Sequence, residues 1–462
     1  MRVLLASLVL ATTTSALAQS APDAAATTAP RAITLREAIS YARIHQPSLV
    51  AARARVAVAR GQAQLPRAAR SPKVTAGAEL LVGTNNNTTA SYGGPLGFDV
   101  PRIGGTPANA SASLSPEPST FAGIGVRQEV YDFGRLSAQA DALDLFARAT
   151  EEDAQSADLD LVLFVEESFY AVQGARSVHQ AADAAVKRAQ EHRNFANANV
   201  TAQLRPPIEL TRAEADLARR QAELVHADGA LRAAQQVLAA AIGATEPALD
   251  AGADDMTYVA PVAIGSALGD LDRREPSVRA AIDSLHGQHA LTRAIEAELH
   301  PDLSLSAGVT GRAGGSPVAT NPTPAGAGWL PDVPNWNAMV VLSWPLLDRT
   351  VDVRAKVSRR LEQVRAADVD AQREHLRAAV GQAYEELDVS TQALPALQRA
   401  VDAATANQAQ ADARFNKGLG TSVELADAEA LLTDTQIDLA VGQFQRARAR
   451  ARLARVIAEV VP

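Results

Sequence analysis

The apolar positions of this chain follow a helical period over very long stretches. Between Leu136 and Leu204 they recur at steps of three and four, as at Val162, Val165 and Phe169. Such steps place side chains on one narrow stripe of an α-helix, as in helices that pack side by side. The stretch contains no proline and a single glycine, Gly174. At about 1.5 Å per residue, its roughly 65 residues predict a rod of ~100 Å.

A second stretch, from about Val351 to Asn416, repeats this pattern. Its apolar stripe includes Leu376, Val380, Tyr384 and Leu387. Pro395 lies inside the stretch. Because proline lacks the N–H group that a helix needs, we expect a kink or a break there.

Two shorter helical stretches together match the length of the long rod. Ser48 to Arg70 and Ile208 to Ile242 contain about 23 and about 35 residues, which sum to about 58 residues of helix at the same rise. Each half of the chain is therefore predicted to form two parallel columns, one continuous and one assembled from two pieces. Six such halves would close a helical tube.

Four other segments read as β-strands by their tendency towards a period of two, although the fourth alternates poorly. They are Val74 to Leu81, Phe121 to Val130, Leu303 to Thr310 and Ala338 to Trp344. In the third segment, apolar residues from Leu303 to Val309 alternate with serine, glycine and threonine. Alternation of apolar and polar positions over about ten residues is the pattern of outer-membrane strands.

The loops inside each strand pair, Gly83 to Thr120 and Gly311 to Asn337, are long and rich in glycine, proline, asparagine and serine. Long outer loops are typical of a membrane barrel, whereas disordered linkers are the alternative interpretation.

The chain contains an internal repeat. Pro47 and Pro72 recur with the same spacing as Pro276 and Pro301, and IELTRAEA, from residue 208, returns as VELADAEA, from residue 423. A repeat of this size is a whole structural half rather than a solenoid unit. We therefore predict a signal peptide over residues 1–18, a flexible lead over 19–32, a first repeat over 33–243, an inter-repeat linker over 244–267 and a second repeat over 268–462.

The first residues are typical of an export signal. Arg2 precedes an apolar run from Val3 to Ala11, and Ala16-Leu17-Ala18 forms a small-residue cleavage site. A membrane anchor is the less favoured alternative, because the run is shorter than the ~20 residues of a helical span.

Aromatic residues cluster near the predicted strand ends. Trp329, Trp336 and Trp344 lie at or beside the last strand pair, and Tyr131 and Phe133 follow the second strand. This placement predicts contacts with the membrane interface, with ordinary core aromatics as the alternative.

Four strands do not close a barrel, and an open sheet edge cannot lie in lipid. A homotrimer would supply twelve strands and twelve helical columns. The predicted fold is therefore mostly α, with long coiled-coil helices that form an α-barrel and with four β-strands per chain. The strands of three chains would share one 12-stranded transmembrane β-barrel, and each chain would contain two structural repeats.

Composition and motifs argue against several other classes of protein. The chain has no cysteine, which excludes disulfides, thiol catalysis and thiolate zinc sites, and its formal net charge of −8 comes without the basic stripe that nucleic acid requires. His286 and His289 are spaced i, i+3, but no third metal ligand follows from the sequence. No nucleophile-elbow, P-loop or HExxH motif is present. We therefore predict no enzyme activity, no catalytic residue, no metal and no cofactor.

The most specific motifs lie between the paired helices. They are ANVTAQLRPPIEL at residues 198–210 and RFNKGLGTSVEL at residues 414–425. The strand-to-helix junction YDFGR at residues 131–135 and the turns Gln46-Pro47 and Glu275-Pro276 accompany them. By order, duplication and spacing, these motifs resemble the TolC family of outer-membrane efflux proteins over nearly all of the mature chain.

This resemblance implies a trimeric channel-tunnel of the Gram-negative envelope. Its barrel would contact outer-membrane lipid, and its helical tube would cross the periplasm and taper to a tip at the two hairpins. There a periplasmic adaptor and an inner-membrane pump or ABC exporter would dock. The docking residues would be Leu204, Arg205, Pro206, Pro207, Gly418, Leu419, Gly420, Thr421 and Ser422.

The resemblance also implies a periplasmic aperture lined by acidic residues, which here would be Glu424 and Asp427. Three residues apart, they share one helix face, and a trimer would bring six carboxylates around a narrow opening that favours cations. Helix capping by Glu424, or two solvated surface acids, are the alternatives. The first-half counterparts are Glu209 and Arg212, so the acidity is not duplicated.

A periplasmic coiled-coil adaptor is the alternative class. Such a protein is also exported, but it has one hairpin flanked by compact β domains. Two equivalent hairpins and only four strand-like segments favour the channel.

Overall fold

The computed structural model describes residues 31–84, 92–93, 99–100, 116–244, 249–252, 263–314 and 333–459. The predicted signal peptide and most of the predicted lead lie outside these residues. In the first half the elements are β1 (Arg31–Ile33), α1 (Leu35–His45), α2 (Pro47–Ala63), α3 (Leu65–Ala69), β2 (Lys73–Thr84), β3 (Tyr92–Gly93), β4 (Asp99–Val100), β5 (Pro116–Tyr131), α4 (Arg135–Thr201) and α5 (Ile208–Ile242). In the second half they are β6 (Leu249–Ala251), α6 (Ile264–Gly269), α7 (Leu271–Arg274), α8 (Pro276–Ala297), β7 (Asp302–Gly314), β8 (Val333–Ser343), α9 (Arg349–Asn416) and α10 (Ser422–Val456).

Two very long helices dominate the fold, and the shorter helices complete columns beside them. α4 has 67 residues and α9 has 68. α4 packs against α2 near its start and against α5 near its end, while α9 packs first against α8 and then against α10. Because α4 also contacts α8 and α10, the columns follow the order α2/α5, α4, α8/α10, α9. The predicted pairing of a continuous column with a two-piece column is confirmed.

The two pieces of each broken column meet at equivalent joints. At the first joint, the Gln46 side chain precedes α2 and donates hydrogen bonds from Nε2 to the carbonyl oxygens of Ala240 (3.1 Å) and Ala241 (2.9 Å). These carbonyls lie in the last turn of α5, where the helix itself runs out of N–H donors; Ala240 additionally accepts a 3.2 Å hydrogen bond from the N–H group of Gly243. Gly243, with φ 72°, ends α5 here, and a Cβ on it would lie 2.9 Å from the carbonyl oxygen of His45. Glycine therefore allows the two helix ends to approach.

The second joint is held together by an ion pair instead. Glu275 precedes α8 and is only 2% exposed. Its carboxylate accepts a hydrogen bond of 3.0 Å from Arg455, which lies in the last turn of α10. Arg455 also donates to Asp160 (2.5 Å) and Ser156 (2.8 Å) of α4, so one guanidinium fixes both pieces of the broken column to the continuous helix beside it.

The largest apolar clusters lie at these joints. The first contains Leu35, Ile39, Val165, Phe169, Leu238 and Ile242, and the second contains Leu271, Val278, Leu376, Val380 and Leu453. The predicted stripes of α4 and α9 thus enter the core where the columns are broken. A short parallel pair of β1 and β6 covers the first cluster. Gln173 and Arg176 of α4 donate hydrogen bonds to the carbonyls of Gly252 (2.9 Å) and Ala251 (2.7 Å).

This pair of strands differs from the sequence expectation. Arg31 and Ala32, the last residues of the predicted flexible lead, belong to β1, and the predicted linker contains β6 and the beginning of α6.

Of the kink or break expected at Pro395, the break is absent: α9 continues through this residue to Asn416. The neighbouring leucines explain this result. Leu394 and Leu397 pack against Gly442 of α10, which has no side chain to hold the helices apart. Contact with α10 on both sides of the proline outweighs the single hydrogen bond that proline removes.

The four predicted strands form one antiparallel sheet in the order β2-β5-β7-β8. Every strand is longer than the hydrophobic pattern indicated. β8 begins at Val333 rather than Ala338 and ends at Ser343, so Trp344 lies just beyond it. Pairing with β7 explains the extension, because Gly308 and Asn337 have weak strand preference but lie opposite each other in the ladder. None of the helices in the described residues combines the length and apolar composition needed to cross a membrane.

The two joints make a prediction about stability. Gln46→Glu would place a carboxylate against the carbonyl oxygens that end α5, so we expect it to lower the stability of the protein by about 2–3 kcal/mol. Gln46→Ala, which only removes the hydrogen bonds, should cost about 1 kcal/mol. Thermal unfolding followed by circular dichroism measures both. Gln62→Glu adds the same charge at an exposed site of α2 and serves as the control. Equal unfolding midpoints for Gln46→Glu and Gln62→Glu would contradict this account of the joint.

Candidate functional site

The two hairpins turn through the same backbone geometry. Gln203 and Gly418 adopt left-handed conformations, with φ 59° and φ 72°. Directly after them, the N–H groups of Leu204 and Leu419 each donate a 2.9 Å hydrogen bond to a carbonyl five residues earlier, which is the Schellman pattern for ending a helix. Leu204 and Leu419 are 74% and 72% exposed. The repeat therefore presents two similar leucines at one end of the helical columns.

The first turn contains no glycine at its left-handed position. A non-glycine residue such as Gln203 pays roughly 1–2 kcal/mol for this conformation. Pro206 and Pro207 come after Leu204 and Arg205, and α5 begins at the next residue, Ile208. The prolines therefore lead directly into the helix, as their restricted φ favours.

In the second turn, Gly420 lies so close to the preceding helix that a Cβ there would be tightly packed. A Cβ there would be 3.2 Å from the backbone nitrogen of Phe415 and 3.3 Å from Cβ of Arg414. The counterpart in the first turn is Arg205, whose guanidinium lies 5.0 Å above the Phe415 ring. Arg205 of the first turn thus contacts the helix end of the second hairpin, and the second turn has glycine at the equivalent position.

Phe415 is the centre of an aromatic cluster that connects the hairpins. His192 and Phe195, both on α4, approach its ring with centroid distances of 5.1 and 5.4 Å. Ala411, Leu425 and Ala428 bury the rest of the ring. The first and second repeats are therefore packed together near their tips.

Thr421 caps the helix that follows the second turn. Its Oγ1 atom accepts a 3.2 Å hydrogen bond from the backbone N–H of Glu424. The neighbouring Ser422 is buried, and its Oγ atom has no partner among the described residues. Thr421, and not Ser422, is therefore the N-cap of α10.

Glu424 and Asp427 both lie exposed on the first turns of α10. Nε of Arg414, at the end of α9, is 3.1 Å from Glu424, so this acid is paired across its own hairpin. Both partners are about half exposed, and such surface pairs stabilise a protein by only ~0–1 kcal/mol. Asp427 forms no ion pair within the described part of the chain. The first-hairpin counterparts, Glu209 and Arg212, form no hydrogen bond or ion pair with these acids among the described residues.

A buried polar cluster lies farther from the tip, and the sequence analysis did not identify it. It contains the buried residues His192 of α4, Arg220 of α5 and Glu429 of α10, with the half-buried Arg188 of α4 beside them. The available signal was weak. Glu429 falls between the apolar positions Leu425 and Leu432, which should have suggested burial.

The sheet at the other end has its polarity reversed compared with a soluble sheet. On β7, Leu305 and Val309 are 46% and 61% exposed, while Ser304 and Ser306 are 4% and 3% exposed. The register continues this apolar face across the neighbouring strands. Its other exposed members are Val74, Leu80, Val82, Ile124, Val340 and Leu342.

The aromatic residues named from the sequence occupy two levels. Tyr131, Phe133 and Trp344 are exposed where the sheet meets the helices, and the Tyr131 and Phe133 rings are 4.8 Å apart. Trp336 is exposed on the apolar face farther along β8, opposite Val309. Trp329 lies outside the described residues.

Both outer columns present apolar or small residues to solvent at helical spacing. On α9 the exposed positions are Val353, Val357, Leu361 and Val364, and on α2 with α3 they are Val50, Ala54, Val58, Gly61 and Leu65. Val58 lies roughly 17 Å of helix before the end of α3, which leads into the sheet. Leu361 lies about the same distance after the start of α9, where the chain leaves the sheet. The two stripes are therefore at matching distances from the sheet.

Within the described part of the chain, no group of three histidine or acidic side chains is placed to hold a metal ion. His289 contacts Glu362 at 3.3 Å, and both belong to the packing of α8 on α9.

The sequence model of the outer membrane efflux protein family matches residues 38–244 and 267–459. The chain belongs to the outer membrane efflux protein family. It is an outer-membrane efflux channel that extends into the periplasm and has no enzyme activity. No curated protein sequence matches it significantly.

Solved structures show the same fold at low sequence identity. The outer-membrane channel OprN is 21% identical, with a TM-score of 0.72, 92% of this chain covered and 90% of that one. The CmeC outer membrane channel of Campylobacter jejuni is 14% identical, with a TM-score of 0.77 and coverage of 92% and 85%. The open state of the MtrE outer membrane channel of Neisseria gonorrhoeae is 19% identical, with a TM-score of 0.72 and coverage of 92% and 88%.

The cap at the second turn can be tested directly. Thr421→Ala removes the hydrogen bond to the Glu424 N–H group and should cost about 1 kcal/mol locally. We expect faster hydrogen exchange at Val423 and Glu424, whereas Thr421→Ser should retain protection. Ser422→Ala is the matched control, because that hydroxyl has no partner. Faster exchange in Ser422→Ala than in Thr421→Ala would overturn this assignment.

Proposed function

We propose that three copies of this chain form the exit duct of a tripartite efflux pump or a type I secretion system. The observation that carries the proposal is the sheet with an exposed apolar face. Its outer strands, β2 and β8, each have one side without a partner strand among the described residues. Unpaired backbone groups cannot remain in lipid, so the face requires other copies to pair these edges. Three copies supply the twelve strands of one barrel.

The outer helical columns support the same assembly. The stripe on α9 and the stripe on α2 are different surfaces at matching distances from the sheet. A contact between two different surfaces is heterologous, and repetition around an axis closes a ring of copies. In this arrangement each α9 packs against α2 of the next protomer, and twelve columns enclose a lumen.

The aromatic levels support placement in a membrane. Trp336 and Trp344 are about eight residues apart, or ~27 Å along an extended strand. At the usual strand tilt this is ~20 Å of depth, close to the ~25 Å apolar band of outer-membrane barrels. Tyr131, Phe133 and Trp344 would then lie at the periplasmic interface and Trp336 near the outer one.

The hairpin tips would contact the partners of the channel. Leu204 and Leu419 repeat in sequence and in exposure, so a trimer would present six similar apolar side chains around its periplasmic end. We propose that a periplasmic adaptor binds at these turns and connects the channel to an inner-membrane pump or ABC exporter. The adaptor alternative is disfavoured for this chain, because the described residues contain two hairpins and one apolar-faced sheet instead of compact β domains.

Glu424 and Asp427 are proposed to line the periplasmic aperture. Both are exposed on one face at the start of α10, and threefold repetition places six carboxylates near the axis. A ring of this kind attracts cations. The pairing of Glu424 with Arg414 leaves Asp427 as the stronger contributor.

Single-channel recording in planar bilayers tests this function. The wild-type protein should give a small, cation-selective conductance. Glu424→Ala/Asp427→Ala removes the carboxylates, so we expect the conductance to rise and the cation preference to fall several-fold.

The matched control is Glu209→Ala, which removes an acid at the equivalent position of the first hairpin. It should leave selectivity unchanged. Selectivity that is unaffected by the double substitution would reject the aperture assignment. An absence of conductance from well-folded wild-type protein would count against the proposed channel.

A further inference from the structure

Glu429 is a buried acid at the contact between the two repeats. It lies on α10 and is 8% exposed. Charged groups approach it from each neighbouring element, with Arg188 on α4, Asp216 and Arg220 on α5, and Asp412 on α9. The contact of α4 with α10 lies in the middle of the column order, so a neighbouring protomer at either outer column would not cover it.

The polar groups in this cluster are incompletely paired. The Glu429 carboxylate forms no hydrogen bond or ion pair within the described residues. Nη2 of Arg188 donates instead to Oγ1 of Thr433 (3.1 Å), and its Nε atom is buried without a partner. Nε2 of His192 and Oε1 of Gln436 are likewise buried and unpartnered. Unpaired buried polar groups are costly, so this packing leaves interactions that another arrangement could make.

Burial and the nearby Asp216 and Asp412 raise the pKa of Glu429 from 4.5 to about 7, against the opposing influence of Arg188 and Arg220. Because the folded pKa is raised, the packed arrangement binds an extra proton, and its stability falls as the pH rises from 4.5 towards 7. Burial lowers the pKa of His192, so that ring is neutral where Glu429 titrates.

We propose that Glu429 is a proton-controlled latch between the two hairpins: its neutral form holds the present packing, and its ionised form shifts α10 against α4 so that the carboxylate pairs with Arg188. This inference rests on the proposed channel function. The ionised carboxylate requires a donor, and Nε of Arg188 is a buried donor without a partner. Arg220 is already shared by Asp216 (3.7 Å) and Glu223 (3.0 Å).

The position of the latch connects it to the aperture. Glu429 is on the same helix as Glu424 and Asp427, within the first two turns. Any shift of α10 that brings Glu429 to Arg188 therefore displaces both aperture carboxylates. The latch predicts that the tips keep the present packing at acidic pH and adopt a second arrangement above neutrality.

The repeat supplies a matched control. Glu214 on α5 is the first-half counterpart of Glu429, but its side chain is half exposed and lies 3.6 Å from Arg193. Glu214→Gln removes the same carboxylate chemistry outside the buried cluster. It should leave the pH response of the tips unchanged.

Spin labels on the two tips measure the response in the assembled full-length protein. The absence of native cysteine allows labels at Thr201→Cys and Lys417→Cys, both exposed. Mixing with excess unlabelled chain keeps the distance within one protomer. Pulsed electron paramagnetic resonance should show a shift in this distance between pH 6 and pH 8, with a midpoint near 7.

The variants distinguish the latch from other titrating groups. Glu429→Gln mimics the neutral acid and should keep the acidic distance throughout. Arg188→Gln removes the cation that favours ionisation, so it should move the midpoint upward by about one pH unit. Glu214→Gln and Glu424→Ala/Asp427→Ala should retain the wild-type shift.

A wild-type distance that does not depend on pH, a shift that persists in Glu429→Gln, or an unmoved midpoint in Arg188→Gln would each overturn the latch. Conductance of the same proteins is a separate readout. A conducting wild type without a distance change rejects the latch and retains the channel. A distance change in a protein that does not conduct supports the latch and counts against the channel.

Discussion

The architecture depends on joining two helices end to end, so that a column of two pieces matches the length of the continuous helix beside it. Each joint must satisfy the carbonyl groups that end one helix while the next begins directly beside them. Gln46 does this with an amide that donates to the end of α5, whereas the second joint is held by the ion pair of Glu275 with Arg455 in the last turn of α10. The apolar clusters lie beside these joints, so the joints set the position of the other elements along the columns. The sheet and the hairpin tips are consequently held at opposite ends of rods of ~100 Å.

The two ends differ in what they leave unsatisfied. At one end the sheet exposes apolar side chains and, within the described residues, two edges without a partner strand, which calls for lipid and for further copies of the chain. At the other end the turns expose Leu204 and Leu419, while the buried Glu429 and the half-buried Arg188 do not pair with each other. Rigid columns between these ends allow an event at the tip to remain local. This division fits a family of outer membrane efflux proteins, in which transport needs a fixed passage and a controlled entrance.

Periodicity predicted most of this fold because long helices and alternating strands are encoded locally. The bounds of α5 agree with the expectation, and the stripe through Val165 and Phe169 is buried as predicted. The missed features depend on tertiary contacts. Pro395 does not end its helix because α10 supports both sides of it, and Gln203 adopts a left-handed conformation that its identity disfavours. Burial of Glu429 arises where four helices meet, which no single stretch of sequence describes.

The central claim is that copies of the chain meet through two different surfaces and close into a ring. In this cysteine-free chain, Val58→Cys can be combined in turn with cysteine at Val357, Leu361 or Val364. Under mild oxidation, at least one double variant should yield a covalently closed trimer on a denaturing gel, while every single variant remains monomeric. Dimers formed by a single variant would indicate a two-fold contact between like surfaces. That result, or the absence of cross-linked trimer in all combinations, would contradict the account.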